Sequence, residues 1–401
     1  MIDRVRMVRL SLHGIAAGLI ALSLATPALA QISSAPGKWF RYSAVIDQAW
    51  AVKEVPGNPL QFEIQRKSKE RTAATKRVLV LYPRASSAYD VAITKILQVF
   101  ETKDLDVVMT AINFNMSDAA GAAAMQFAEK NKYDLIFSMG SESTAWLFEK
   151  YRGGRIPVVS VCSKDPVQLG QIKDYERGSG NNFAFTSLNV PVDVQMAYVK
   201  ELKPDLKNLT VLVDSKNISA VQTQAEPIAA YARERGIQVI WGAIDDPAKA
   251  REQLIPIIKS AVQTMRRNDA DLSKSLFWLT GSTSVFKEIR TINEHADRVP
   301  VVSVVPEIVT AGADTAVLAI GVSFESNAHL AGIYGADILA ARAKPGDLKV
   351  GLVSPPDIAI SFLKVREIGL RVPFHFYETA SFIYNYEGQP VRTVQSKVDA
   401  D

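Results

Sequence analysis

The sequence predicts an α/β protein made of two doubly wound parallel-sheet lobes. Three observations carry that expectation. From Lys76 onward, short apolar runs alternate with segments whose apolar residues recur at helical spacing. The same order of elements then occurs a second time after residue 208. And Arg155-Ile-Pro-Val-Val-Ser-Val161 matches Arg298-Val-Pro-Val-Val-Ser-Val304 almost letter for letter. Strands that read as continuous apolar runs belong to sheets covered on both faces, and strands alternating with helices give right-handed crossovers.

In chain order, Met1 to Arg9 carries Arg4, Arg6 and Arg9 against Asp3, and an apolar run follows to Ala25. Thr26-Pro27 then leads to Ala28-Leu29-Ala30, a small-x-small cleavage pattern that leaves Gln31 first. This predicts a cleaved signal peptide over residues 1–30 and a periplasmic protein, with an uncleaved anchor as the alternative. Residues 31–75 are weakly patterned, hold Pro36, Pro56 and Pro59, and predict an extension that is either packed on the first lobe or partly loose.

The first strand is Arg77-Val-Leu-Val-Leu-Tyr82, followed by a helix through Tyr89, Ile93, Ile96, Leu97 and Phe100. Val107 to Met109 is the second strand, and Ser117-Asp118 starts an Ala-rich helix to about Lys130. Leu135 to Phe137 is the third, Gly140 to Thr144 turns into a helix, and Ile156 to Val161 is the fourth. The second half repeats this with a strand over Leu209–Val213, a helix from Ser219 to Arg235 and a strand over Gln238–Trp241. A helix through Leu254, Ile258, Val262 and Met265 follows, then strands over Leu276–Leu279 and Val301–Val304. Phe137-Ser-Met-Gly-Ser-Glu-Ser-Thr144 and Trp278-Leu-Thr-Gly-Ser-Thr-Ser284 share a Gly-Ser turn at nearly the same distance before the matched Pro-Val-Val strands. Chance recurrence of Pro-Val-Val is the bland alternative to two related lobes.

Composition removes several functions. The net charge is +4, half of it in the first thirty residues, and both signs are spread along the rest. A nucleic-acid binder concentrates a basic face instead. Cys162 is the single cysteine and the four histidines are scattered, so neither a disulfide, a Cys-rich zinc site nor a His cluster is expected, and no metal or cofactor is predicted. Cys162 near Lys164 has no partner His and predicts a buried structural thiol. His-Glu-x-x-His, Gly-x-Ser-x-Gly and a Walker loop are all missing from the sequence, so no enzyme is expected.

In open parallel sheets, ligands sit beyond the carboxyl ends of the strands. The loops there are rich in hydroxyls and acids: Arg84, Ser86 and Ser87; Ser141, Glu142, Ser143 and Thr144; and Ser163, Lys164 and Asp165 in the first lobe. The second lobe supplies Asp214, Ser215, Asn217 and Ser219, then Ser282, Thr283 and Ser284, then Glu307. Hydroxyls and helix-start amides suit a carboxylate, and an Asp or Glu suits an ammonium, so an amino acid or similar zwitterion is expected. Each such Ser also suits an N-cap. Tyr89, Trp146, Trp278, Phe286 and Phe324 lie near these loops and are either ring-stacking or core residues.

Ile338-Leu-Ala-Ala-Arg-Ala-Lys-Pro-Gly-Asp-Leu348 and Ile358-Ala-Ile-Ser-Phe-Leu-Lys-Val-Arg-Glu-Ile-Gly-Leu-Arg-Val-Pro373 resemble a helix end and a strand-helix of a known family. It is the ABC-transporter substrate-binding family related to tryptophan and tyrosine binding proteins. Pro157-Val-Val, Asp165-Pro-Val167, Leu202-Lys-Pro204 and Pro300-Val-Val agree with it, and the resemblance covers roughly residues 76–375. It implies a type I periplasmic binding protein-like fold joined by a three-strand hinge. Carried over, lobe 1 holds 76–187 plus 322–353, lobe 2 holds 188–321 plus 354–380, and 381–401 is a tail. It also implies a periplasmic solute-binding protein that delivers its ligand to an ABC permease. A sensor presenting its ligand to a membrane histidine kinase is the alternative, and a monomer is expected. The resemblance maps the ligand-binding residues onto Ser86, Ser87, Ser141, Asp165, Asp214, Asn217, Ser282, Thr283 and Glu307, and the edge-loop chemistry adds Glu142 and Ser143. The chain departs from relatives at Gly140-Ser141-Glu142, Asn181-Asn182-Phe183-Ala184 and Ser282-Thr283, so an aromatic ligand does not follow.

Overall fold

The computed structural model describes residues 39–392 and the short strand Ile32–Ser33; the expected signal over residues 1–30 lies outside the described residues. Two separate sheets dominate it. In the first, Lys76–Tyr82 lies parallel between Val107–Asn113 and Leu135–Met139, with Val78 opposite Met109 on one side and Leu135 on the other. Val158–Val161 and Phe183–Ala184 continue the sheet in parallel. Counted along the chain, these five strands stand in the order second, first, third, fourth, fifth.

The second sheet repeats that order with Gln238–Ile244, Asn208–Asp214, Ser275–Leu279, Val301–Ser303 and Leu318–Gly321, all parallel. The matched Pro-Val-Val segments are thus the fourth strand of each sheet. Their apolar runs are buried along their whole length because helices cover both faces.

The segments outside the repeat extend these sheets. Trp50–Val55 and Asn58–Arg66 form a hairpin, and the second of these strands pairs antiparallel with Val107–Asn113. Its alternation explains why it is faint in the sequence. Phe62, Ile64 and Arg66 point inward, whereas Gln61, Glu63 and Gln65 do not. Phe62 stacks on Phe40 at 5.0 Å, and Trp39 meets Phe62 and Tyr82 edge-on. At the other end of the molecule, Asp357–Ser361, Phe382–Tyr384 and Pro390–Arg392 extend the second sheet. Residues 382–384 and 390–392, set apart in the sequence as tail, are therefore sheet strands.

After Leu318–Gly321 the chain returns to the first sheet as helix Phe324–Leu339, which packs on helix Ser87–Thr102. Two glycines permit the approach. A Cβ on Gly335 would stand 2.4 Å from Cζ of Phe137, and one on Gly332 would stand 3.1 Å from Cβ of Val99. Gly351 then bridges to Thr186, and Asp357–Ser361 re-enters the second sheet.

The helix expected from Ser219 to Arg235 is broken into Ile218–Ala220, a wide π turn over Val221–Ala225 and Glu226–Glu234. Pro227 has no N–H to give to the Thr223 carbonyl. That carbonyl instead accepts from Nδ2 of Asn189, in the segment that leaves the first sheet, at 2.7 Å.

Candidate functional site

The carboxyl ends of the two sheets meet. In each, the strand order reverses between the first and third strands, where open α/β sheets hold their ligands. In the first lobe this point is flanked by the loop before Ser87 and the Gly140-Ser141 turn. In the second it is flanked by the loop after Asp214 and the Gly281-Ser282 turn. Gly140 has φ +77, and a Cβ there would stand 2.0 Å from the Tyr89 hydroxyl, so the turn demands glycine on both counts.

Ser86 precedes helix Ser87–Thr102 in an extended conformation, and its hydroxyl does not cap the helix. Ser87 is exposed. Ser141 Oγ accepts the backbone N–H of Lys164 at 2.9 Å. Glu142 faces Nη1 of Arg84 at 2.5 Å. Ser143 is fully buried and donates to the Leu81 carbonyl at 3.1 Å, which ties the turn to the first strand.

The two aspartates hold their own loops. Asp165 Oδ1 accepts from the N–H groups of Val167 and Gln168 at 2.9 and 3.1 Å, and Oδ2 accepts the Tyr175 hydroxyl at 2.5 Å. Asp214 Oδ1 accepts from Lys216 N–H at 2.9 Å and Oδ2 from Ser284 Oγ at 2.6 Å. Asn217 caps Ala220 at 3.2 Å. Ser282 is fully buried against Thr280 and the Asp214 N–H. Thr283 is half-buried, and its hydroxyl makes no hydrogen bond among the described residues.

Glu307 sits on the turn Pro306–Ile308 beyond the fourth strand of the second sheet. Its Oε1 accepts the Phe324 N–H at 2.5 Å, at the start of the returning helix, and its Oε2 is buried without a partner. Burial pushes its carboxyl up to about 8, against the pull of the backbone N–H groups, and Asp357 and Glu325 add to the rise.

Lys164 is the residue that sequence reasoning placed in an edge loop but not among the binders. It is 8% exposed. Burial pulls its ammonium down to about 8. Its side chain spans from the first lobe to the second, for a Cβ on Gly281 would stand 2.3 Å from its Nζ. Gln224 is the other residue missed. Its Oε1 accepts the Gly281 N–H at 2.8 Å and fixes that turn. The signal available for Lys164 was its lone positive charge between Ser163 and Asp165; Gln224 gave none. Cys162 is buried with its Sγ 3.9 Å from the Ala88 carbonyl, and burial holds its thiol well above the usual range.

Elsewhere, a groove of about 380 Å³ lies beside the N-terminal hairpin, lined by Lys53, Glu63, Lys69 and Arg71 among others. Two of its cations are already engaged, Arg71 with Glu63 at 3.1 Å and Lys69 with Asp104 at 2.8 Å. Among the described residues, no group of three or more His, Cys, Asp or Glu is placed to hold a metal ion. No helix among them is long and apolar enough to cross a membrane.

The sequence profile of a family described as ABC transporter substrate binding protein matches residues 85–380. A tyrosine-binding protein of Clostridioides difficile is 20% identical over 231 residues, which is 58% of this chain and 61% of that protein, less than two thirds of its length. Among solved structures, a domain from Streptococcus pneumoniae in complex with L-Trp superposes with a TM-score of 0.58 at 18% identity, over 77% of this chain and all of that one. The ligand-free, open structure of a substrate binding protein with adhesive properties from Clostridium difficile gives 0.59 at 18% identity, over 78% of this chain and 99% of that one. At these identities the superpositions establish the fold, an α/β architecture of two parallel-rich lobes like that of type I periplasmic binding proteins.

Proposed function

The chain belongs to the family of ABC transporter substrate-binding proteins, and on that premise we propose that it captures an amino acid or related zwitterion between its lobes and delivers it to an ABC permease. The observation that carries this reading is the meeting of the two carboxyl edges, where Lys164 of the first lobe lies against Gly281 of the second. A solute enclosed there touches both lobes at once. The L-Trp complex and the tyrosine-binding relative support an amino acid as the class. The departures at Ser141-Glu142 and Ser282-Thr283 leave the side chain of that amino acid open.

Within the cleft, the uncapped hydroxyl of Ser86, the exposed Ser87 and the free hydroxyl of Thr283 are donors to the solute. Glu307 Oε2, on giving up its proton to solvent, is the acceptor for its ammonium, and Glu142 flanks it beside Arg84. Ser141, Ser143, Asp165, Asp214, Asn217 and Ser282 shape the turns that present these groups. The passages of chain between the sheets act as the hinge for closure. Export through the Ala28-Leu29-Ala30 signal places the protein in the periplasm.

A thermal-shift screen of the purified chain against the twenty L-amino acids tests this. At a concentration about 100 times the dissociation constant, a true ligand adds about 2.7 kcal/mol of stability, a shift of several degrees. At least one amino acid is expected to give it. A flat response across the panel would refute the amino-acid reading.

A further inference from the structure

Three cationic side chains are buried among the described residues: Arg66, Lys164 and Lys364. Arg66 has Asp104 at 3.8 Å, and Lys364 has Glu367 at 3.0 Å. Lys164 alone has no carboxylate within ion-pair distance. Its neighbour Asp165 turns away, with both oxygens committed to Val167, Gln168 and Tyr175. A buried charge left without a partner is costly, so a counter-charge that reaches it is stabilising.

The position of Lys164 says where that counter-charge enters. Its backbone N–H is pinned to Ser141 of the first-lobe Gly-Ser turn, and its ammonium lies against Gly281 of the second. It therefore bridges the two equivalent turns of the repeat. Gly281 has no side chain to compete for the space, and Gln224 keeps that turn in place.

The repeat adds a second observation. Lys164 follows Pro157 by the same interval that Glu307 follows Pro300, and both prolines begin the matched Pro-Val-Val strands. Equivalent positions of the two lobes thus hold a buried ammonium and a half-buried carboxyl whose Oε2 is buried. No ion pair joins them; Glu307 Oε2 has no partner at all. Burial raises the Cys162 thiol pKa most, with Glu307 adding to the rise and Lys164 opposing it, so both groups lie near that thiol.

We propose that Lys164 is the anion-binding residue of the cleft, receiving the carboxylate of a zwitterionic solute while Glu307, its counterpart in the second lobe, receives the ammonium. This rests on the reading of the cleft as an amino-acid site and assigns its two charged contacts. It also gives the solute a fixed direction, carboxylate toward the Lys164–Gly281 contact and ammonium toward the start of helix Phe324–Leu339.

The test is calorimetry of the wild-type chain, K164M and K164Q against three probe sets. These are the twenty L-amino acids, the carboxamides of those that bind, and amine-free monocarboxylates with the same side chains. The wild type is expected to prefer the free acid over the amide by about 100-fold, as loss of a charged hydrogen-bonded contact implies. K164M is expected to lose about that factor for the acid and to bind acid and amide alike, while unfolding at or above the wild-type temperature. If K164M does not fold, K164Q carries the same comparison. Retention of the acid preference in the variant overturns the assignment of Lys164 and leaves the amino-acid reading intact. Binding of amine-free carboxylates but not amino acids, abolished in K164M, upholds Lys164 and removes the zwitterion. Binding of no carboxylate by the wild type overturns both.

Discussion

Ser143 and Ser86 look alike in the sequence, each a serine where a strand turns into a helix. The structure gives them opposite employment. Ser143 is buried and bonded to the Leu81 carbonyl, whereas Ser86 leaves its helix uncapped. Residue types at the edge were legible, but the direction of each side chain was not, since direction depends on the carbonyl that the neighbouring strand presents. Asp165 and Asp214 show the same limit, for an aspartate that holds its own loop has the same signature as one that waits for an ammonium. Glu307 carries the clearest measurable consequence. Its folded pKa of about 8 stands above the ordinary carboxyl value of 4.5, so the folded state binds the extra proton between them. Its contribution to stability is complete below pH 4.5 and is lost as pH rises through 8. The slope is at most about 1.4 kcal/mol per pH unit. Asp90, raised to about 6, contributes to the same trend only on the acid side. Lys164, lowered to about 8, acts above pH 8 with the opposite sign. Urea unfolding of the ligand-free protein between pH 6 and 8 is therefore expected to show falling stability, and E307Q to flatten it. An equal slope in the variant would mean that Glu307 titrates as an ordinary carboxyl.

At the scale of elements, the strands legible in the sequence were those buried on both faces, such as Arg77–Tyr82, buried from Val78 on, and the Pro-Val-Val pair. The hairpin Trp50–Val55 with Asn58–Arg66 was not, because its polar outer face breaks the apolar run. The pairing strand at residues 382–384 is too short to give a period at all. Pro227 is a third case. A proline within a helical pattern announces a break, but only the structure shows the freed Thr223 carbonyl taken up by Asn189. The returning helix Phe324–Leu339 is the element on which the lobe arrangement depends most. Gly335 permits its contact with the ring of Phe137, a residue with no exposed surface. Gly335→Ala gains about 1 kcal/mol in helix propensity yet forces that ring aside, and overpacking of this kind costs about 1–3 kcal/mol. Thermal unfolding of the variant is expected to show a net loss; a gain would show that the contact is slack.

For the whole molecule, the recurrence of Gly-Ser and Pro-Val-Val makes the two lobes legible in the sequence, because the same turn and strand start recur at the same place in each. How the lobes face each other was not legible. That depends on contacts far apart in sequence, such as Lys164 with Gly281 and Asn189 with Thr223. These contacts join residues of both lobes at the carboxyl edges of their sheets, which is the geometry of a solute held between lobes rather than on one of them. Hydrogen–deuterium exchange, with and without the amino acid that gives the largest thermal shift, tests that geometry most directly. Binding between the lobes predicts added protection in cleft loops of both lobes, 84–87, 140–144 and 163–165 in the first and 281–284 and 305–308 in the second. Protection confined to one lobe, or to the hairpin groove over residues 51–71, would contradict it.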